Sequence, residues 1–185
     1  DGLTHIEYNA FRSSGLTSIT IPKTVESIGD SAFIYCTSLT GIWVDENNRD
    51  YFSDESGVLY EKYSGVLMQA PSILSGHYTI NSSVRWINSY AFAECSGLTG
   101  ISIPDSVTNL GSFTFYNCTG LTSVQLPNRI TSLGSDTFAN CTGLTSVTLP
   151  NQLTKIGSFA FENCTSLTDI TFPDTLTNID QGAFR

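Results

Sequence analysis

The sequence predicts an α/β repeat solenoid with a parallel β-sheet, and three observations carry that expectation. Leu98, Leu121, Leu144 and Leu167 stand 23 residues apart, each opening a copy of one pattern. A self-similar period of this length marks a chain that stacks supersecondary units in a row. Within each copy, two apolar residues alternate with a polar one just ahead of a Pro slot, which is the mark of a half-buried strand. Further on, Phe and Cys return at fixed offsets. The slots read L-x-x-[IVL]-x-[ILF]-P-x-x-[VIL]-x-x-[IL]-G-x-x-[AT]-F-x-x-C, as in Leu144–Cys164.

In chain order, a partial repeat runs over residues 3–14, and a full one over 16–38 supplies Leu16, Ile19, Ile21, Pro22, Val25, Ile28, Gly29, Ala32, Phe33 and Cys36. The next begins at Leu39, loses the pattern after Asp45 and regains it at Ser75, so the unit 39–74 is 36 residues long. Inside it, Gly57–Tyr60 and Val66–Gln69 are β-prone runs joined by a Gly-containing five-residue connection. They predict one inserted β-hairpin. The whole of 1–185 is expected to be a single solenoid domain. Both ends match fragments of repeats, so the chain is expected to be a piece of a longer protein.

Strands are expected at Ile19–Ile21, Ile42–Val44, Tyr78–Ile80, Ile101–Ile103, Val124–Leu126, Val147–Leu149 and Ile170–Phe172. Stacked in parallel at about 4.8 Å, seven of them span about 30 Å. The Pro after each strand removes a donor and turns the chain out of the sheet. The Gly slot suggests a backbone position with positive φ. The Ser or Asp that follows it is placed to cap a short helical turn through the Phe slot. Phe33, Phe92, Phe115, Phe138 and Phe161 are expected to stack as an aromatic ladder, each stabilising the fold by roughly 1.5–3 kcal/mol of transfer free energy. Val58, Leu59, Tyr60, Leu67 and Met68 must fill the gap the insert leaves in that ladder.

Composition narrows the function classes. Seventeen acids against eight bases give a net charge of −9. That charge argues against nucleic acid or an anionic membrane surface as partner. No apolar run is long enough for a membrane span. The two histidines, His5 and His77, lie far apart in coil order, and no grouping with Ser, Cys or Asp suggests catalysis. An enzyme is not expected, and neither a cofactor nor a metal is implied. Cys36, Cys95, Cys118, Cys141 and Cys164 share one slot with no CxxC pair, which points to small buried thiols filling the core. Asp45, Asn47, Asp50, Asp54 and Glu55 lack the Gly and closing Glu of a twelve-residue Ca²⁺ loop and read as a solvated acidic segment. The triplets at Asn81, Asn117, Asn140 and Asn163 match the N-glycosylation pattern, but three of them follow from the repeat itself. Their Asn side chains are expected to bond to the backbone of the next coil.

The repeat, with its interrupting GVLY…VLMQAP hairpin, resembles the BspA-like leucine-rich repeats of bacterial surface proteins over essentially the whole chain. The resemblance implies a right-handed leucine-rich-repeat superhelix with a concave parallel sheet, short helical turns on the other side, and display at the cell surface or in the secreted medium. It also implies adhesion to host, matrix or partner-cell proteins. On that concave face the mid-strand column reads Thr20, Trp43, Thr79, Ser102, Gln125, Thr148 and Thr171. Thr20, Trp43, Thr79, Ser102 and Gln125, with His77 nearby, are the candidate ligand-binding residues. Trp43 either anchors a protein or a glycan or is buried under the hairpin. Trp86, Tyr90 and Phe113 form a second outward set, read as packing between coils. A structural spacer is the competing role, and open coils at the two ends suggest end-to-end stacking of copies.

Overall fold

The computed structural model describes residues 2–185. Its strands are short and numerous. The first four are β1 (His5–Ile6), β2 (Ile19–Ile21), β3 (Ser27–Ile28) and β4 (Ile42–Val44). The irregular unit contributes β5 (Tyr51–Ser53), β6 (Leu59–Glu61) and β7 (Val66–Gln69), followed by β8 (Gly76–Thr79) and β9 (Trp86–Ile87). The regular repeats add β10 (Leu98–Ser102), β11 (Asn109–Leu110), β12 (Ser123–Gln125), β13 (Ser132–Leu133), β14 (Ser146–Thr148), β15 (Lys155–Ile156) and β16 (Asn178–Ile179).

Each regular coil passes through two parallel rows of strands. The row expected to be the concave one is β2–β4 and, after a break, β8–β10–β12–β14. Between the rows, the Pro slot starts a tight turn in which Val107 N–H bonds to Pro104 O at 3.0 Å and Ile130 N–H to Pro127 O at 3.1 Å. The second row then takes the apolar residue of each short extended stretch, such as Ile87, Leu110 and Leu133, inward. The expected strand Ile170–Phe172 does not join the ladder. A groove of about 710 Å³ lies between it and β14.

The return side of each coil differs from the expected helical turn: among the described residues no helix forms. The reason lies in where the N–H groups go. From Tyr90 onward, alternate N–H groups leave the coil: Tyr90 to Ser112 O, Phe92 to Thr114 O and Glu94 to Tyr116 O, at 3.1, 2.9 and 2.8 Å. The intervening ones, Ala91, Ala93 and Cys95, close three-residue turns on Asn88 O, Tyr90 O and Phe92 O. An α-helix needs consecutive N–H groups to point along one axis toward the fourth preceding carbonyl. Here half of them serve the neighbouring coil, and the backbone alternates to do it. Tyr90, Phe113, Asp136 and Phe159 have φ between 56° and 61°. Asn117, Asn140 and Asn163 follow at 57–62°. Left-handed backbone in a non-Gly residue costs on the order of 1–2 kcal/mol, offset here by the inter-coil bonds.

That geometry also corrects the Gly slot, whose glycines do not have positive φ. They are required by close approach. A Cβ on Gly111 would sit 2.3 Å from Ser89 N, and one on Gly157 would sit 2.7 Å from the carbonyl carbon of Gly134. Successive coils touch backbone to backbone there, leaving no room for a methyl group.

Inside, the Phe rings stack as the repeat predicts. Phe92–Phe115, Phe115–Phe138, Phe138–Phe161 and Phe161–Phe184 have centroids 5.1–5.4 Å apart and planes within 13°. Phe11 and Phe33 make the same stack at 5.4 Å. The ladder is interrupted between Phe33 and Phe92, and the insert explains why. The hairpin β6–β7 forms, with β5 added antiparallel to β6, and β7 pairs parallel with β9 through Val66↔Trp86 and Leu67↔Ile87. The three strands are therefore a wall across the solenoid, apolar on both faces. Tyr51, Leu59 and Met68 face a core with Phe33 and Ile42, while Val58, Tyr60, Leu67 and Ala70 face the core that holds Phe92 and Phe115. The gap is filled by the residues expected, but as a partition between two cores.

The outer side shows the complement of this. Asn88 Nδ2 donates to Asp30 Oδ1 at 2.9 Å although the two lie 58 residues apart in the chain. Tyr35 and Tyr90 meet edge to face at 6.3 Å. The insert thus adds chain on the strand sides and contributes no outer turn.

The concave face as a candidate functional site

Alternation within each concave strand sends one residue inward and its neighbours outward. Val124 is buried between exposed Ser123 and Gln125, and Val147 between Ser146 and Thr148. The whole mid-strand column, Thr20, Trp43, Thr79, Ser102, Gln125, Thr148 and Thr171, is exposed. Thr20 lies directly beside Trp43, Thr79 beside Ser102, and Gln125 beside Thr148. His77 Nε2 is 2.8 Å from Ser102 Oγ. His77, Ser102 and Gln125 line one groove of about 480 Å³. His77 and Thr79 also line a second, of about 430 Å³, with Phe52, Asp54 and Tyr60.

The candidate residues do not form one site. Between β4 and β8 the chain segment 53–57 takes the place of a strand: Ile42 N–H bonds to Gly57 O at 3.0 Å and Val44 N–H to Ser53 Oγ at 3.1 Å. Thr20 and Trp43 stand on one side of it, and His77, Thr79, Ser102 and Gln125 on the other. The expectation that Trp43 neighbours Thr79 and His77 is corrected accordingly. The hairpin does not cover Trp43. The insert passes beside the indole, which is 39% exposed.

Sequence reasoning missed the trio that seals this break. Tyr78 Oη–H donates to Asp54 Oδ2, Tyr60 Oη–H reaches the same oxygen at 3.3 Å, and the two phenols bond to each other. Asp54 Oδ1 meanwhile accepts from the N–H groups of Ser56 and Val58. Burial drives both phenol pKa values upward, and the Asp54 carboxylate adds to this. Asp54 and Tyr60 lie in the irregular unit and Tyr78 in the next coil, so no repeat spacing announces them. Asp45 likewise accepts from Asn47 N–H at 2.9 Å. These acids fold their own turns.

Elsewhere, Tyr90 and Phe113 stack at 4.6 Å, and Arg12 lies over Tyr35 at 5.3 Å, so these outer aromatics pack between coils. Trp86 is more open, at 47% exposed. The Asn of the repeat triplets bond to side chains of the neighbouring coil and not to its backbone: Asn117 Nδ2 to Glu94 at 2.7 Å and Asn163 Nδ2 to Asn140 at 2.9 Å. Their left-handed φ explains the residue type.

The five cysteines are buried free thiols. Cys118, Cys141 and Cys164 each donate Sγ–H to a Phe carbonyl of the previous coil (Phe92, Phe115 and Phe138) at 3.1 Å. The slot therefore needs a residue that is small, apolar and able to donate one weak bond. Burial pushes the Cys164 thiol up to about 11 and the thiols of Cys95, Cys118 and Cys141 higher still. An acid whose folded pKa is raised contributes its stability in full below its unfolded value and loses it as pH climbs through the folded one. Stability should thus decline from about pH 9 upward and through about pH 11. Denaturant midpoints across that range check this, and Cys164→Ala should lessen the decline without removing it, since the other buried thiols remain. At neutral pH, iodoacetamide should label the thiols only as fast as the chain opens.

Against this geometry, the model of the BspA type leucine-rich repeat region matches six copies, over residues 1–55 and 74–185. The chain belongs to that family. Three solved structures carry the same repeat architecture. A leucine-rich cell surface protein from Faecalibacterium prausnitzii is 31% identical with a TM-score of 0.74, over 97% of this chain and 51% of that one. A leucine-rich repeat protein from Eubacterium ventriosum is 29% identical with a TM-score of 0.66, over 98% and 61%. The pneumococcal vaccine antigen PcpA is 26% identical with a TM-score of 0.64, over 96% and 38%. The chain spans between about two fifths and three fifths of these relatives' lengths. No curated protein matches it. The unmatched stretch of this BspA-type chain, 56–73, contains β6 and β7. The hairpin β6–β7 of the partition is thus the part of the solenoid that the repeat pattern does not describe.

Proposed function

We propose that this BspA-type solenoid is a binding module displayed outside a bacterial cell. It holds a host, matrix or neighbouring-cell protein against its concave face and acts without catalysis. The observation that carries the reading is the exposed concave column. Thr79, Ser102, Gln125 and Thr148 point away from the core, so the fold leaves their identity open, and they stand on a rigid parallel sheet. Adaptable polar contacts on a fixed scaffold suit recognition of a large surface. A cell-surface relative and the family's surface type support the location.

The test is binding of the purified chain to immobilised matrix proteins and to intact epithelial cells, read by surface plasmon resonance and flow cytometry. Ser102→Lys and Gln125→Lys, which crowd the concave groove, should weaken binding at least tenfold. Ser132→Lys, on the second row, should leave it unchanged. Equal binding by all variants would instead support a spacer that only holds other domains away from the cell. Antibody labelling of unpermeabilised cells checks the location.

A further inference from the structure

We propose that Trp43 is a stacking platform for a neutral saccharide ring. This adds a second ligand class, beside the protein proposed above, on the Trp43 side of the 53–57 segment, and it rests on that face being the binding surface.

Two rings stand on the concave face, Trp43 and His77, and each lies over a glycine. A Cβ on Gly41 would sit 2.6–2.7 Å from Cε2, Cζ2 and Nε1 of Trp43, and one on Gly100 would sit 2.6 Å from His77 Nδ1. Gly41 precedes Trp43 by two residues, on the same face of the strand. Two residues before the mid-strand position, the coil of Ser102 also carries a glycine, Gly100, on which His77 lies, while the others carry Ser18, His77, Ser123, Ser146 and Asp169. Gly41 therefore opens a recess into which the indole folds down. One face of the ring rests on backbone, and the remaining exposed area faces outward.

The surroundings suit a sugar. An exposed hydroxyl flanks the indole: Thr20 stands directly across the ladder. The 53–57 segment, carrying Glu55 and Ser56, runs along the other side, where a Cβ on Gly57 would sit 2.6 Å from Gly41 Cα. A pyranose has a flat face of C–H groups and a rim of hydroxyls, the complement of a flat aromatic face ringed by polar groups. A protein hot spot instead favours a closed, desolvated pocket for its anchor, and this platform is open.

Charge selects within the class. The insert bears six acids against two bases, and exposed Glu55 lies in the 53–57 segment that runs beside the platform, on a chain of net charge −9. Carboxylated, sulfated and sialylated sugars meet like-charge repulsion there, and neutral hexoses and N-acetylhexosamines do not.

The experiment uses the full chain with Trp86→Phe, so that Trp43 is the sole indole. Maltose, lactose and chitobiose are titrated, with sialyllactose and a heparin disaccharide as anionic counterparts. At least one neutral sugar should shift the Trp43 emission with millimolar affinity. Trp43→Ala, checked for folding by circular dichroism, should abolish the calorimetric signal, and Trp43→Phe should keep part of it. The anionic sugars should bind at least tenfold more weakly, with the gap narrowing as salt is raised. Silence from every neutral sugar at millimolar concentration, or binding untouched by Trp43→Ala, overturns the proposal. So does an equal response to sialyllactose. Failure here with persistent Ser102→Lys sensitivity in the adhesion assay removes the sugar and leaves the concave face. Loss of both removes the face itself.

Discussion

Phe138→Ala should lower the stability of the chain by about 3–5 kcal/mol, the range for deleting a fully buried aromatic side chain. Phe138 is wholly buried and stacks on Phe115 at 5.2 Å and on Phe161 at 5.3 Å. Removing the ring takes away two stacking partners at once, each contact worth about 0.5–1.5 kcal/mol beyond area burial. It also opens a void that the coils cannot close. The backbone above and below is fixed by Phe138 N–H to Ala160 O and Phe115 N–H to Thr137 O, both at 2.8 Å. Urea unfolding monitored by circular dichroism measures the loss. A change below about 1 kcal/mol would mean that the coils collapse around the gap and that the ladder is not the spine of the fold. A ring at the end of a stack has one partner to lose, so Phe33→Ala, stacked on Phe11 alone, should cost less.

Unfolding should proceed in two steps, with Trp43 reporting the earlier one and Trp86 the later. The core is divided by β5–β7, with Phe33, Leu39 and Ile42 on one side and Phe92, Phe115 and Phe138 on the other. The concave sheet is broken at the same place, between β4 and β8. In a solenoid, stability is a sum of coil terms and neighbour interfaces, so a weak interface splits cooperativity. The amino-terminal core is the smaller, while β7 is tied to the larger body by its parallel pairing with β9. Fluorescence of Trp43→Phe and Trp86→Phe, each leaving one indole, should therefore give different urea midpoints. The Trp43 transition should come first and have the shallower slope, since slope follows the surface exposed. Coincident curves from both variants would show that the partition couples the two cores instead of dividing them. Leu67→Ala, on the carboxy-terminal face of the wall, should shift chiefly the later transition.

Much of this was legible before any coordinates. Leu98, Leu121, Leu144 and Leu167 fix a 23-residue coil, and identical slots recur because every coil meets the same neighbour above and below. That is why the Phe stack, the buried thiols, six of the seven concave strands and the exposed concave column follow from spacing alone. The hairpin was legible from its Gly-bounded apolar runs. β5 was not, because adjacent Tyr51 and Phe52 serve two cores and so break the alternation that reveals a strand with one buried face.

The helical turns were misread for a related reason. Residues 88–95 have a plausible cap and a Phe at a helical offset. Nothing in their order shows that Tyr90, Phe92 and Glu94 give their N–H groups to the next coil. The Gly slot was misread likewise, because steric contact between Gly111 and Ser89 is a property of two coils and not of one. The placement of Trp43 depends on the same kind of contact. Its partner across the ladder, Thr20, was predictable from the period, while its separation from His77 is set by where segment 53–57 packs. The sequence by itself determined what each coil shares with every other, since a repeat writes its neighbour contacts in its own period. Tertiary structure alone decided what happens at the one irregular coil, because there the partners are remote in sequence and the chain's path, not its period, brings them together.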